Sequence, residues 1–499
     1  MSQINITNLT FAYEGSHDNI FENVSFQIDT DWKLGFTGRN GRGKTTFLHL
    51  LLGKYEYSGS IATSVQFQYF PHHVADKTAD TQTVIHDIAP ASHGWEVARE
   101  LSLLEVADDV LTRPFETLSN GEQTKVLLAA LFLNEHNFLL IDEPTNHLDI
   151  NGRAIVSRYL NGKSGYILVS HDRAFLDGCV DHILSINRAN IEVQRGNFSS
   201  WWENKKRADE FELAENQRLK KEIKRLKKAA RQSAHWADKV EATKMGKGAA
   251  AMRKKGHAGA GSKEYSAEQS RRMQQRRKNL ERRQQSSIED KSKLLKNIER
   301  SDVLKISQLD YHKHKLLSLA GIKISYGDKA VCENISFTIE KGDRCALQGK
   351  NGSGKTSILK LICGESLSFS GDLDIGAGLK ISYVSQDTSN LSGNLTDYAL
   401  QHDIDESLFK AILRKLDFSR VQFEKSIETF SGGQKKKVLI AKSLCDKAHL
   451  LVWDEPLNFI DVLSRMQIEK LLLEYAPTIL FVEHDSTFNE RISTKLIVL

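Results

Sequence analysis

Residues 38–46 read GRNGRGKTT, and residues 349–357 read GKNGSGKTS. Both fit G-x-x-x-x-G-K-[ST], a glycine-rich turn whose backbone N–H groups converge on phosphate oxygens at the start of a helix. On that pattern Lys44 and Lys355 reach the β- and γ-phosphates, and the hydroxyls of Thr45 and Thr356 ligate Mg2+. The surroundings suit the pattern. Residues 32–37 and 344–348 read as short strands, and apolar helical spacing follows at Phe47, Leu48 and Leu51 and at Ile358, Leu359 and Ile362. The fold expected is α/β, with two tandem P-loop domains.

Three further strings repeat. LSNGEQTKV (118–126) returns as FSGGQKKKV (430–438), LLIDEPTNHLD (139–149) as LVWDEPLNFID (451–461), and VSHD (169–172) as VEHD (482–485). The offsets are 311 from Lys44 to Lys355, 312 from Ser119 to Ser431 and from Asp142 to Asp454, and 313 from His171 to His484. So steady an offset means a duplicated domain. The copies are expected at 1–200 and 306–499, with 201–305 between them.

Residues 138–142 and 450–454 are apolar runs that end in an acid followed by Glu. A buried strand delivers Asp142 or Asp454 to a metal at its C-terminal end. Glu143 or Glu455 then faces the γ-phosphate and orients or deprotonates the attacking water. The alternative is that these acids cap helices.

Bulk properties exclude several classes. The longest apolar run in the 499 residues is Val126–Leu133, eight residues, where a membrane span needs about 20. The N-terminal residues MSQINITNLTFAYEG have no basic or apolar signal region, so no secretory leader is expected. Five scattered cysteines without a CxxC fit reduced thiols in the cytoplasm, not a disulfide scaffold or a cysteine-held metal.

The net charge of +5 is unevenly spread. Residues 201–300 hold 29 Lys and Arg against 14 Asp and Glu, a net of +15, so the other 399 residues carry −10. Such a segment suits a polyanion, nucleic acid first; a solvated charged helix is the alternative. All six prolines lie outside it. Leu219, Ile223, Leu226 and Ala230 give helical spacing to about residue 240, and Met273, Leu280, Ile288, Leu295 and Ile298 do so from about 264 to 300. The expectation is an antiparallel helical hairpin, an arm of about 60 Å, with a tip loop at about 241–263. Residues 244–262, KMGKGAAAMRKKGHAGAGS, hold five Gly and five Lys or Arg. The tip candidates for RNA contact are Lys244, Met245, Lys247, Met252, Arg253, Lys254 and Lys255.

The ordered motifs resemble the ATP-binding cassette ATPases over about 400 residues. The Walker A loop, signature, Walker B with its Glu, D-loop (147–149; 459–461) and switch His (His171; His484) occur in sequence, twice. In that family two cassettes stack head to tail, with ATP between the Walker A of one and the signature of the other. The resemblance implies a first site of Gly38, Arg39, Asn40, Gly41, Arg42, Gly43, Lys44, Thr45 and Thr46, with Asp142, Glu143 and His171, facing Ser431, Gly432, Gly433 and Gln434. It implies a second site of Gly349, Lys350, Asn351, Gly352, Ser353, Gly354, Lys355, Thr356 and Ser357, with Asp454, Glu455 and His484, facing Ser119, Asn120, Gly121 and Glu122. Tyr13 and Tyr326 match the aromatic that stacks on adenine. On the metal side the second Q-loop has Gln386, and the matching first-copy candidate is His72, whose imidazole can ligate a metal but is shorter than Gln. Asn120 and Glu122 also replace the Gly and Gln found at Gly432 and Gln434. The two sites are therefore expected to be unequal, both hydrolysing ATP.

Tandem cassettes joined by a basic helical hairpin resemble the ABC-F family of ribosome-associated ATPases. FAYEG, WKLGFTGRNGRGKTT, RPFETLSNGEQTKVLL, SHDRAF, FELAEN at 211–216, WDEPLNFID and an end at the last strand are most similar to its Lsa-type antibiotic-resistance members. The resemblance implies a monomer whose two cassettes pair within the chain and which binds ATP and Mg2+. It implies occupation of the ribosomal E site, with the linker reaching toward large-subunit rRNA and P-site tRNA. It also implies release of lincosamide, pleuromutilin or streptogramin A drugs. Three alternatives stay open: a housekeeping translation factor of the same family, a duplex-DNA-binding ATPase, and the ATPase subunit of a drug exporter.

Overall fold

The structure is a computed structural model and describes residues 2–14, 19–134, 137–146, 148–187, 190–252, 308–327 and 329–499. The chain divides into two units, Met1–Trp201 with Val303–Leu499, and Trp202–Asp302. Each half of the first unit is one of the two expected cassettes, an α/β domain.

The first cassette runs β1 (Gln3–Phe11), β2 (Phe21–Asp29), β3 (Lys33–Thr37), α1 (Lys44–Leu51), β4 (Ser58–Ala62), β5 (Gln66–Phe70), α2 (Thr81–Ile88), α3 (Gly94–Leu103), α4 (Asn120–Phe132), β6 (Asn137–Asp142), α5 (Ile150–Asn161), β7 (Tyr166–Val169), α6 (Arg173–Cys179), β8 (His182–Asn187) and β9 (Asn190–Arg195). A six-stranded sheet has the order β5-β6-β7-β3-β8-β9. It is parallel except for the β8–β9 pair. A three-stranded antiparallel sheet, β2-β1-β4, accompanies it.

After α7 (Phe198–Met252), the second cassette runs β10 (Lys315–Tyr326), β11 (Lys329–Glu340), β12 (Arg344–Gln348), α8 (Lys355–Ile362), β13 (Ser368–Ile375), β14 (Ile381–Val384), α9 (Leu395–Gln401), α10 (Glu406–Lys415), α11 (Gly432–Cys445), β15 (Leu450–Asp454), α12 (Val462–Tyr475), β16 (Ile479–Val482), α13 (Ser486–Ile492) and β17 (Lys495–Val498). Its parallel sheet is β14-β15-β16-β12-β17, beside the antiparallel β11-β10-β13. The duplication read from the motif offsets is thus a duplicated topology.

Central strands with both faces covered read as unbroken apolar runs. Phe138–Ile141, Tyr166–Val169, Leu450–Trp453 and Ile479–Val482 are buried throughout. Each Walker B acid stands at the C-terminal end of its strand, the edge where open α/β sheets bind ligands. No described helix is long and apolar enough to cross a membrane.

The linker differs from expectation in one respect. The sequence spacing predicts helix to about residue 240 and loop from about 241. Instead α7 continues to Met252, 55 residues in all, about 82 Å at about 1.5 Å per residue. Residues 244–252 hold the triplet Ala249–Ala251 with Lys and Met, strong helix formers that outweigh Gly246 and Gly248. Lys244, Met245, Lys247 and Met252 therefore lie on helical backbone. Arg253, Lys254, Lys255 and the expected second helix at 264–300 lie outside the described residues, as does His147 of the first D-loop.

Candidate active site

Both phosphate loops are built alike. Each enters its helix through a left-handed glycine, Gly43 at φ 93° and Gly354 at φ 87°. A Cβ on Gly43 would also come within 2.5 Å of Ile20 Cγ2, so only glycine serves. Lys44 Nζ donates to Gly38 O at 2.8 Å and to Asn40 Oδ1 at 3.3 Å. Lys355 Nζ donates to Gly349 O at 2.9 Å and Lys350 O at 2.8 Å. Burial pushes both ammonium groups down in pKa against the pull of nearby carboxylates.

The metal-side groups converge in both halves. Thr45 Oγ1 donates to Asp142 Oδ2 at 2.9 Å, and the Tyr69 hydroxyl donates to the same oxygen at 3.0 Å. In the second half, both carboxylate oxygens of Asp454 are buried and complete no hydrogen bond. Burial raises the Asp454 pKa against the opposing pull of Thr356, Lys436 and Lys355. A buried, unpartnered carboxylate beside a threonine hydroxyl fits a hard divalent cation. Among the described residues there is no cluster of three or more His, Cys, Asp or Glu in metal-holding geometry. A carboxylate with a threonine hydroxyl is an oxygen donor set of the kind that suits Mg2+, an ion commonly bound through one or two carboxylates. His72 is exposed, and partial desolvation and His73 lower its pKa.

The two candidate bases differ. Glu455 Oε2 accepts from Gln386 Nε2 at 2.9 Å and from Asn458 Nδ2, and His484 Nε2 lies 3.5 Å from Oε1. Burial opposes its ionisation, but His484, Asn458 and Lys436 outweigh it and hold the carboxyl below its ordinary pKa. Glu143 has His171 Nε2 at 3.3 Å. Burial, and then Asp142, push it up to about 8 against Arg465, Lys44 and Arg153. Part of the contrast comes from Lys436, 1% exposed, whose Nζ donates to Ser385 O at 2.8 Å and Asp454 O at 3.3 Å. The first cassette has Thr124 there.

The signatures are helix N-termini. Ser119 caps α4, with its backbone N–H donating to Glu122 Oε2 at 2.8 Å; Ser431 caps α11, donating to Gln434 Oε1 at 3.0 Å. Glu122 and Gln434 thus close equivalent capping boxes on their own helices. Tyr13 Oη lies 2.8 Å from Thr46 Oγ1, and Tyr326 Oη 3.2 Å from Ser357 Oγ. Both rings are partly exposed beside the helix that follows their phosphate loop.

The halves meet head to tail. A cavity of ≈ 690 Å³ is lined by Ser119, Gly121 and Glu122 from the first cassette and by Lys355, Thr356 and Glu455 from the second. At the other site Asn40 Nδ2 donates to Phe459 O at 2.7 Å, and Arg39 pairs with Asp417. A Cβ on Gly433 of the second signature would lie 3.2 Å from Asn40 Nδ2. Sequence reasoning missed Tyr69, Lys436 and Arg153. Arg153 Nε donates to Leu148 O at 3.1 Å, and its Nη1 donates to Asp172 Oδ2 at 2.8 Å and His484 O at 3.2 Å. Its signal was present, since Arg465 stands 312 positions on, four past the D-loop Asp in each copy.

A sequence-family model described as ABC transporter matches residues 21–146 and 332–458. The ribosome protection protein VmlR of Bacillus subtilis is 28% identical over 505 residues, 99% of this chain and 86% of that protein. The energy-dependent translational throttle protein EttA of Haemophilus influenzae is 25% identical over 536 residues, 96% of this chain and 89% of that protein. Among solved structures, the complex of archaeal ribosomal stalk protein aP1 and ribosome recycling factor aABCE1 matches with TM-score 0.62 and 18% identity, over 98% of this chain and 87% of that one, a likeness of fold.

Proposed function

The chain belongs to the ABC transporter family of ATP-binding cassette proteins, and from that premise we propose that it is an ABC-F factor that acts on the ribosome and frees it of bound antibiotic. Its two cassettes bind ATP and make it an ATP hydrolase, forming ADP and phosphate. The proposal concerns what that hydrolysis drives and which residues carry it.

Lys44 and Lys355 bind the β- and γ-phosphates after leaving the carbonyls that now hold them. Thr45 with Asp142, and Thr356 with Gln386 and Asp454, hold Mg2+, which when bound neutralises charge on the phosphates. Glu143 and Glu455 orient the attacking water, and His171 and His484 orient the glutamates. Ser119, Asn120 and Gly121 close on the second site; Ser431, Gly432 and Gly433 close on the first. Tyr13 and Tyr326 flank the adenines. Hydrolysis reopens the pair.

The observation that carries the reading is the coexistence of this composite cavity with a 55-residue helix in a segment of net charge +15. Such a charge suits rRNA and tRNA phosphates, and binding through it falls with salt. Support also comes from a relative named as a ribosome protection protein. In this reading the factor works in the cytoplasm. It enters the ribosomal E site with cassettes closed, reaches toward P-site tRNA and the peptidyl-transferase centre, and dislodges lincosamide, pleuromutilin or streptogramin A drugs. The throttle relative favours one rival, a translation factor that relieves stalled ribosomes without drug.

The test is in vitro translation with the purified protein and lincomycin, tiamulin, virginiamycin M, erythromycin and chloramphenicol in parallel. Restored synthesis with the first three supports the proposal. Unchanged inhibition by all five, with ATPase intact, supports the drug-independent factor instead.

A further inference from the structure

Arg173 follows directly on the switch segment of the first cassette, at the N-terminus of α6. Its guanidinium crosses to the second cassette and pairs with Glu469 on α12, with Nη1 at 3.2 Å from Oε2 and Nη2 bonded to Oε1. The side chains are 6% and 4% exposed. The Arg173 Nε is buried and completes no hydrogen bond, so Glu469 is the acceptor that offsets its desolvation. Arg491 on α13 reaches the same carboxylate at 3.4 Å from the rim, and α6 packs on α13. The repeat makes the mirrored positions readable. Arg173 corresponds to Ser486, Glu469 to Ser157 and Arg491 to Gly178. The charged joint therefore exists on one side of the pseudo-twofold only.

We propose that Arg173 is a positioning residue for the first ATP site, holding the His171–Asp172 segment against the second cassette through Glu469, a fastening the second site lacks.

The physical route is short. Asp172 caps α6, its Oδ1 accepting from Phe175 N at 3.0 Å, and its Oδ2 holds Arg153 at 2.8 Å. Arg173, Asp172 and His171 are consecutive, so a shift of the Arg173 anchor moves the imidazole that faces Glu143. A buried bidentate pair allows little such movement, because a displaced partner would leave an uncompensated buried charge. His484 has no such anchor two residues on, where Ser486 stands. The second switch segment is instead tied across by the hydrogen bond from Arg153 Nη1 to His484 O at 3.2 Å, without a buried ion pair.

The inference rests on the assignment of Glu143 and Glu455 to separate sites, and it needs no ribosome. ATPase is measured on the purified full chain in two backgrounds. Glu455→Gln leaves only the first site turning over; Glu143→Gln leaves only the second. Residual turnover in each single variant, abolished in the double, checks the assignment itself. Persistence in the double would overturn the assignment and, with it, the proposal that rests on it. Into each background go Arg173→Met, Glu469→Gln, and the swap Arg173→Glu with Glu469→Arg. In the first-site background, Arg173→Met is expected to lower kcat at least tenfold with KM moving less than threefold. In the second-site background kcat should change less than twofold. The swap should recover at least a third of the lost kcat, which loss of fold alone would not allow. Glu469→Gln, a milder change, covers the case in which Arg173→Met fails to fold. Equal losses in both backgrounds, or no loss in the first, would overturn the proposal.

Discussion

Asn40 Nδ2 donates to the backbone carbonyl of Phe459 at 2.7 Å, so the phosphate loop of one cassette is held by the D-loop of the other, 419 residues away. Phe459 takes φ 62° to present that carbonyl, a conformation bulky side chains avoid. The strained backbone and the amide hydrogen bond thus join the two cassettes beside the first phosphate loop. Asn40→Ala should raise the ATP KM of the first site by about threefold to tenfold, since one such hydrogen bond is worth about 0.5–1.5 kcal/mol. Steady-state ATPase in the Glu455→Gln background measures this; an unchanged KM there would mean the contact does not contribute to closure.

Lys436 is the buried cation that distinguishes the second site, with Ser385 O and Asp454 O as its acceptors. It ties the backbone before Gln386 to the Walker B strand. Lys436→Met should lower kcat in the Glu143→Gln background by roughly tenfold, as the Gln386–Glu455 contact loosens; about 1.4 kcal/mol corresponds to tenfold. Thermal stability should change less, because the loss of two hydrogen bonds is offset by no longer burying a charge. A large drop in Tm with kcat preserved would contradict this.

Trp453 is fully buried in the strand that carries Asp454, and its Nε1 donates to Ser443 Oγ at 2.9 Å. Trp453→Ala should cost about 3–5 kcal/mol, read as a lower midpoint in denaturant unfolding. Trp453→Phe should cost markedly less, since it keeps most of the volume and Ser443 Oγ still accepts from Ser382 Oγ at 3.0 Å.

Glu100 sets an acid limit on the first cassette. Burial opposes its ionisation, but Lys163, Tyr159 and Arg99 outweigh this and hold its pKa below the ordinary value. Its contribution is therefore present above pH about 4.5 and is lost as pH falls through the lowered value. Glu100→Gln should flatten the decline of stability below pH about 4.5 while lowering stability at pH 7. Parallel acid unfolding curves for the two proteins would show that this cluster is not responsible.

The helical course of α7 through residues 244–252 also has a direct check. Ala250→Pro should break the helix there, at a local cost of about 3 kcal/mol, and reduce drug protection while leaving ATPase within twofold. If protection is unchanged, the helical backbone at these residues has no part in it.

The motifs were legible because each is a short string whose chemistry depends on local spacing: the glycines before Lys44, the apolar run before Asp142, the serine three residues before Glu122. Glu122 departs from the Gln434 of the second copy, yet Ser-x-x-Glu is itself a capping signature, and it closes a box as Gln434 does. Gly246 and Gly248 read as a break, but the alanine triplet beside them keeps α7 helical to Met252. The strings carried an inequality of the two sites at His72, Asn120 and Glu122, but not the contacts between the cassettes. Arg39 with Asp417, Arg153 with His484 O and Arg173 with Glu469 join residues more than 290 positions apart. Only folding brings such pairs together. Comparing the two copies residue by residue would have found where one has charge and the other serine or glycine.

Closure of the two cassettes on ATP is expected to drive binding to the ribosome. Co-sedimentation of the Glu143→Gln, Glu455→Gln double variant with purified 70S particles, with ATP, with ADP and without nucleotide, tests it most directly. The account predicts retention on the particles with ATP alone, weakening as salt is raised. Equal pelleting in all three conditions, or no pelleting in any, would contradict it.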